Sequence, residues 1–313
     1  MKAIVYDKYD KDPSILNVRD IEIPKPKNDE LLIKVKAAAV NPVDWKIRWG
    51  KMKVLIGSKM PRQMGVDVAG IIEEVGSDIN DLKKGDEIFG WVSYKYSNTF
   101  SEYAIIKGEI AAPKPTQMSF NEVAALPMAA STAYKALVEI AKIKKGDKIL
   151  ITGGSGGVGH YAIQIAKNYG AIVHTTVSEK NITLVKKLGA DVVYNYNETD
   201  IKTIADKFNI VFDTAGILKY GEAKKLLTND GIYPNIKSTP IEMLIGSIFN
   251  VANKPVMTNV TQEYLLELSK LVKAGKLVSI IGHTTPLEKA PITIADLENK
   301  KLKISGKLII EME

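Results

Sequence analysis

The sequence predicts an α/β protein in which a doubly wound parallel sheet is inserted into an irregular β domain. Three observations carry that prediction. From Lys148 to Asn235 short apolar runs alternate with stretches of helical period, the pattern of a parallel sheet and its crossover helices. Up to Met118 the apolar runs are short or alternating and are separated by turn clusters such as Pro24–Asn28. Beyond Gly275 the chain returns to β character, so the tail is expected to complete the first domain. A single core of 313 residues would be unusual, and the expected layout is 1–118 plus 261–313 around an inserted 119–260.

In the first domain Ala3–Val5, Leu31–Val40, Val68–Val75 and Glu87–Val92 read as strands. Asn41-Pro42-Val43-Asp44 reads as a helix start, with Asn41 as N-cap, Pro42 at the first helical position and Asp44 near the positive end of the dipole. That local role accounts for Asn41 and Asp44 without chemistry. Lys51–Met60 reads as a loop. Lys83–Phe89 is echoed by Lys144–Leu150, two uses of one turn leading into a strand. Ser119 and Glu122 form a capping box, and a helical stretch follows to about Lys142, bent at Pro127. The domain boundary is placed near Ser119.

The inserted sheet opens on Lys148-Ile149-Leu150-Ile151-Thr152, a buried strand that breaks into Gly153-Gly154-Ser155-Gly156-Gly157-Val158-Gly159. Val158, Ala162, Ile165, Ala166 and Tyr169 then recur at helical spacing until Gly170. Strand, glycine turn and helix in that order make Gly154-x-Gly156-x-x-Gly159 a dinucleotide cradle. Gly154 permits the turn, Gly156 lets backbone approach a pyrophosphate, and Gly159 lets helix pack on strand. The helix start adds free N–H groups and a positive dipole end. Strands are expected at Ile172–Thr176, Asp191–Tyr194, Asn209–Asp213 and Ile232–Asn235, with Pro255–Met257 as an edge. Helices are expected at Ile182–Leu188, Ile201–Phe208, Gly221–Leu227 and Leu265–Val272. Leu277–Ile281 reads as β, Ile294–Leu297 as helix and Lys307–Ile310 as the last strand. Pro234 fits best at a strand end.

Composition excludes several functions. There are no cysteines, hence no disulfide, no thiolate catalysis and no cysteine zinc site; His160, His174 and His283 lack metal-site spacing. No apolar run approaches the ~18 residues of a membrane span, and Met1–Asp7 lacks a signal-peptide segment, so a cytoplasmic location is expected. The net charge of +7 is spread along the chain without a basic block, which favours solvated faces over nucleic-acid binding and suits an anionic cofactor. For the nucleotide, the second strand ends at Thr176, where NAD-binding units place an acid on the ribose. A neutral Thr176 removes repulsion of a 2′-phosphate, Ser178 offers a hydroxyl and Lys180 a charge, which favours NADP. Glu179 argues the other way, unless it is a first-turn helix carboxylate.

Nearly the whole chain resembles the medium-chain dehydrogenase/reductase superfamily, in its zinc-free quinone oxidoreductase branch. The resemblance rests on Asn41-Pro42-Val43-Asp44-Trp45-Lys46, Gly65-Val66-Asp67-Val68-Ala69-Gly70, Ala124-Ala125-Leu126-Pro127, Gly156–Gly159, Asn195-Tyr196 and Asp213-Thr214-Ala215-Gly216. It implies a GroES-like β-barrel catalytic domain with an inserted Rossmann domain. Zinc-dependent members carry Cys near Asn41 and His-Glu near Val66-Asp67; this chain has neither. An alcohol must be deprotonated before it loses hydride, a task for a metal. Without one, the easier reaction is hydride delivery from NADPH to a quinone or an α,β-unsaturated carbonyl. Enoyl-thioester reduction and NADPH binding without turnover are the alternatives. The resemblance further implies that Gly154, Ser155, Gly156, Gly157, Val158, Gly159 and Ala215 hold the cofactor's phosphates and flank it. Ser178, Lys180 and Tyr196 would surround the 2′-phosphate, and Asn41 and Thr132 would lie near the nicotinamide. Lys46 stands where many relatives have Tyr, as a donor to the substrate oxygen or to the cofactor, and Asn41 and Lys46 are the expected catalytic residues. Tyr94 and Tyr96 fall in a cleft-lining segment, whereas Tyr103 reads as core. A homodimer through the Rossmann-domain edge near Val256 is also implied.

Overall fold

The computed structural model describes residues 1–237 and 252–313. Two compact units result: Met1–Met128 with Val260–Lys273 and Ile281–Glu313, and Ala129–Asn259 with Ala274–Ile280. The boundary expected near Ser119 therefore lies ten residues further on, and 274–280 join the second unit.

In the first unit the organising strand is Glu30–Ala39. One side pairs antiparallel with Asp67–Val75; the other pairs with Tyr103–Lys107 at one end and Lys307–Glu311 at the other. Asp67–Val75 continues to Glu87–Trp91 and then Ala111–Pro113, and Lys307–Glu311 pairs in parallel with Ile281–Pro286. The C-terminal tail thus completes the first sheet. A second sheet orders Asn17–Asp20, Lys2–Tyr6 and Arg62–Gln63. The core between them includes Ile4, Tyr6, Ile33, Val68, Phe100 and Ile310, all nearly free of solvent. Lys51–Met60 is not wholly loop, since Lys53–Ile56 forms a helical turn.

The second unit holds six parallel strands in the order Val192–Asn195, Ile172–Val177, Lys148–Thr152, Phe208–Asp213, Leu227–Asn235 and Asn253–Pro255. This is the doubly wound order, in which the strand carrying the glycine turn lies at the switch point. Pro234 is tolerated because the last rung to Phe208–Asp213 is at Ile232, and only Tyr233 and Asn235 use their backbone toward the edge strand. That edge runs two residues earlier than expected. The helix expected over Ile201–Phe208 shrinks to a single turn, Ile201–Thr203, because Phe208 already starts the next strand. Leu277–Ile280 is not a strand either. Its polar groups are satisfied by side chains of the helix Gly159–Asn168: Gln164 accepts from Val278 N–H at 2.8 Å and donates to its carbonyl at 3.0 Å. His160 Nε2 accepts from Ile280 N–H at 3.3 Å.

Candidate active site

The glycine turn is built as a cradle, although its glycines divide the labour differently from the expectation. The left-handed residue is Gly153, with φ +66°, one position before Gly154. A Cβ on Gly154 would lie 2.1 Å from Thr175 Oγ1, and one on Gly159 would lie 2.2 Å from the carbonyl of Gly153. Packing alone therefore demands glycine at both. At Gly156 a Cβ would meet only the Gly153 carbonyl, at 3.1 Å, so the missing side chain there leaves the backbone open to a ligand. The N–H groups of Gly157 and Val158 have no backbone acceptor among the described residues. With the start of a ten-residue helix behind them they fit a pyrophosphate.

Residues around the turn are tied to it. The hydroxyl of Thr176 accepts from Gly153 N–H at 3.1 Å, so the neutral residue at the ribose position also holds the turn. Asn181, which the sequence reading overlooked, donates to Ser155 Oγ at 3.0 Å and Ser178 Oγ at 3.3 Å. Lys180 is exposed, and Tyr196, 56% exposed, is placed beside Ser178 by its N–H bond to the Val177 carbonyl at 3.1 Å. Ala215 approaches the turn through its N–H, 3.4 Å from Thr152 Oγ1. Asp213 builds that wall, accepting from Gly216 N–H at 2.7 Å, Leu218 N–H at 2.8 Å and the Thr152 hydroxyl. The structure thus gathers Gly154 to Gly159, Ser178, Lys180, Tyr196 and Ala215 at the C-terminal ends of the strands. Thr132, in the same unit, shares a hydroxyl–hydroxyl bond of 2.9 Å with Thr258.

The first unit contains a separate buried cluster. Asn41 is the N-cap of its helix, Pro42–Arg48, as expected, but its side chain is not spent on the cap, which Asp44 closes by accepting the Asn41 backbone N–H at 2.7 Å. The Asn41 side chain instead donates to Asp67 Oδ2 at 2.8 Å and to the Ala39 carbonyl at 3.2 Å, and accepts from Lys307 Nζ at 2.5 Å. Lys307 also donates to the Val40 carbonyl at 3.0 Å, and the other Asp67 oxygen accepts from Met128 N–H at 3.1 Å. All four side chains are buried, and Asp44 Oδ1 has no partner among the described residues. Burial pushes the Asp44 carboxyl well above the usual carboxylate range, its neighbour Asp67 adding to the effect. Burial likewise raises Asp67 to about 7, against the pull of Lys307 and the Asn41 amide, and lowers the Lys307 ammonium. The sequence reading missed Lys307; its signal was an ionisable residue opening the apolar run Leu308-Ile309-Ile310.

Lys46 sits half-buried in the last turn of Pro42–Arg48. That helix is anchored by Arg48, fully buried, which pairs with Glu298 at 2.5 Å and donates to the carbonyls of Asp10 and Asp12. Tyr94 stands edge-on to Trp91 at 5.1 Å; burial and the nearby Asp67 and Asp44 push its hydroxyl up to about 12. Tyr96 is largely exposed and Tyr103 is half-buried in its strand. The donor set does not fit zinc. Asn41 and Asp67 stand in the regions where the resemblance places zinc ligands, both Asp67 oxygens already accept N–H groups, and an ammonium occupies the cluster. No group of three or more His, Cys, Asp or Glu side chains that could hold a metal occurs among the described residues. No helix among them is long and apolar enough to cross a membrane.

Comparison with known proteins agrees with this organisation. Residues 27–119 match the alcohol dehydrogenase GroES-like domain family and residues 157–235 the zinc-binding dehydrogenase family. The chain is 33% identical to a chloroplastic quinone-oxidoreductase homolog of Spinacia oleracea, over 99% of this chain and 98% of the relative. It is 33% identical to the chloroplastic NADPH-dependent alkenal/one oxidoreductase of Arabidopsis thaliana, over 99% of this chain and 79% of the relative. The solved structure of the quinone oxidoreductase from Coxiella burnetii superposes with a TM-score of 0.87 at 31% identity, covering 100% of this chain and 99% of that one. The cytoplasmic expectation is overturned: both plant relatives are named chloroplastic, and an apolar N-terminal segment is not what directs a protein to a plastid. Shared sequence over the full length and a shared fold place this chain in the quinone oxidoreductase branch of the medium-chain dehydrogenase/reductase superfamily.

Proposed function

We propose that this protein is a metal-independent reductase that takes NADPH as hydride donor and a quinone or an α,β-unsaturated carbonyl as acceptor. The observation that carries the reading is the Asn41–Asp67–Lys307 cluster, whose donors and acceptors are committed to one another at the positions where metal-dependent members hold zinc. The reaction suited to such a site starts from an acceptor that is already electrophilic. The names of the plant relatives, a quinone oxidoreductase homolog and an alkenal/one oxidoreductase, support the same substrate classes.

When bound, NADPH supplies the hydride. The open backbone at Gly156, the N–H groups of Gly157 and Val158 and the helix start would hold its pyrophosphate, with Ser155 and Ala215 at the rim. Lys180 and Tyr196, together with Ser178, would flank the 2′-phosphate, and the uncharged Thr176 leaves that phosphate unopposed. Glu179, exposed in the first turn after Ser178, serves the helix start. Asn41 and Thr132 would lie by the nicotinamide. Lys46 would donate a hydrogen bond to the substrate oxygen as negative charge develops on it, and the one proton that completes the reduction would come from water or a side chain. A second copy of the chain would pair along the edge strand Asn253–Pro255, giving a solution mass about twice that of one chain in light scattering.

An NADPH-oxidation panel over ortho- and para-quinones, short enones and enoyl thioesters tests the proposal. Turnover is expected with quinones or enones, undiminished by chelator and negligible with simple alcohols. Tight NADPH binding with no turnover on any acceptor would mark a binding protein and refute it.

A further inference from the structure

We infer that Lys307 is a positioning residue of the reduction site: with Asp67 it clasps the side-chain amide of Asn41 from both ends and fixes its orientation. The inference rests on the reading above, in which Asn41 lies beside the nicotinamide.

The geometry leaves the amide one arrangement. An ammonium has only donors, so Lys307 Nζ, 2.5 Å away, can face only the carbonyl end of Asn41. A carboxylate offers acceptors, so Asp67 Oδ2, at 2.8 Å, faces only the NH2 end. Turning the amide over would set ammonium against NH2 and carboxylate against carbonyl oxygen, in a site closed to water where such mismatches are expensive. Neither charge is carried on a loop. Lys307 opens the strand Lys307–Glu311, Asn41 follows the strand Glu30–Ala39, and the two are laddered through Ile309↔Ala39 and the Val40 N–H to Leu308 carbonyl bond of 2.9 Å. Asp67 opens the strand on the other side. The Asn41 backbone is held as well, by Asp44.

The clasp has a chemical consequence. The second amide hydrogen of Asn41 goes to the Ala39 carbonyl at 3.2 Å, so both are spent and only a lone pair on Oδ1 remains. Asn41 can therefore accept a hydrogen bond, as from the carboxamide of a nicotinamide, but has none to donate to a substrate oxygen. That changes its expected role from catalysis to orientation and leaves donation to Lys46. The cation in this cluster belongs to the protein itself.

The test separates positioning from bulk stability. Lys307→Met alone leaves Asp67 buried without its counter-charge and is expected to lower the melting temperature. Lys307→Met with Asp67→Asn removes both charges, and its melting temperature should return to within a few degrees of the parent. In that double variant quinone turnover should fall at least tenfold in kcat, with the quinone KM and the NADPH affinity within about twofold. A double variant of parental stability and parental kcat would reduce the cluster to a structural ion pair and overturn the inference. Independently of turnover, the Asn41 NH2 protons of the parent should exchange slowly with solvent in 15N-resolved spectra. Fast exchange there would also overturn it. A parent without turnover but with protected Asn41 protons would count against the functional reading and leave the clasp standing.

Discussion

Asp44 and Asp67 share one buried ammonium, and that imbalance sets a pH dependence. Asp67 holds its proton up to about 7 when folded, against an ordinary 3.8, and Asp44 is raised well above that ordinary value too. Between those limits these two carboxyls bind more protons in the folded chain than in the unfolded one, so the stability they contribute falls as pH rises from about 4 through 7. The melting temperature should be higher at pH 5 than at pH 8. Asp44→Asn, which mimics the protonated carboxyl, should flatten that slope and stabilise the protein at pH 8 by roughly 1–3 kcal/mol. A steeper slope in this variant would contradict the assignment. On the cofactor side, Lys180→Ala should weaken NADPH about tenfold while leaving NADH unchanged in a fluorescence titration; equal losses would show that Lys180 does not read the 2′-phosphate. At this scale the sequence was legible where partners are near in the chain. Ser119 and Glu122 form the capping box as read, with the Ser119 N–H donating at 2.8 Å. Asn41 is the N-cap as read, but the partner of its side chain, Lys307, lies at the far end of the chain and was not legible.

The glycine turn makes a prediction for an element as a whole. Gly156→Ala should keep the fold, with a melting temperature near that of the parent, yet lose NADPH affinity at least tenfold, since its Cβ would enter the open face. Gly159→Ala should instead cost stability, roughly 1–3 kcal/mol, because its Cβ collides with the Gly153 backbone. Thermal melts and cofactor titrations on the pair would show whether this division is right; equal stability in the two variants would not fit it. The parallel strands were readable because each is a short apolar run closed by a turn. The missed elements lacked that signal. Asn17–Asp20 is a polar, largely exposed edge strand, and Leu277–Ile280 is an apolar run whose backbone is satisfied by Gln164 and His160 instead of a ladder. Neither arrangement leaves a mark on local periodicity.

For the whole molecule, the return of the tail to the first sheet was legible as a change of pattern, and the strand Lys307–Glu311 both completes that sheet and delivers the ammonium of the buried cluster. The topology therefore does chemical service: an inserted nucleotide unit divides the chain, and the last strand brings back the charge that Asn41 and Asp67 require. The substrate was less legible, because a pocket is shaped by side chains from segments whose paths local pattern does not encode. The central claim is hydride transfer from NADPH to a conjugated carbonyl by the protein's own side chains. NADPH deuterated at C4, on one face and then the other, incubated with a short enone and chelator-treated protein, tests it directly. One label should deliver a single deuterium to the β-carbon of the product, at a rate unaffected by the chelator. No deuterium in the product from either label, or transfer only after zinc is restored, would contradict the account.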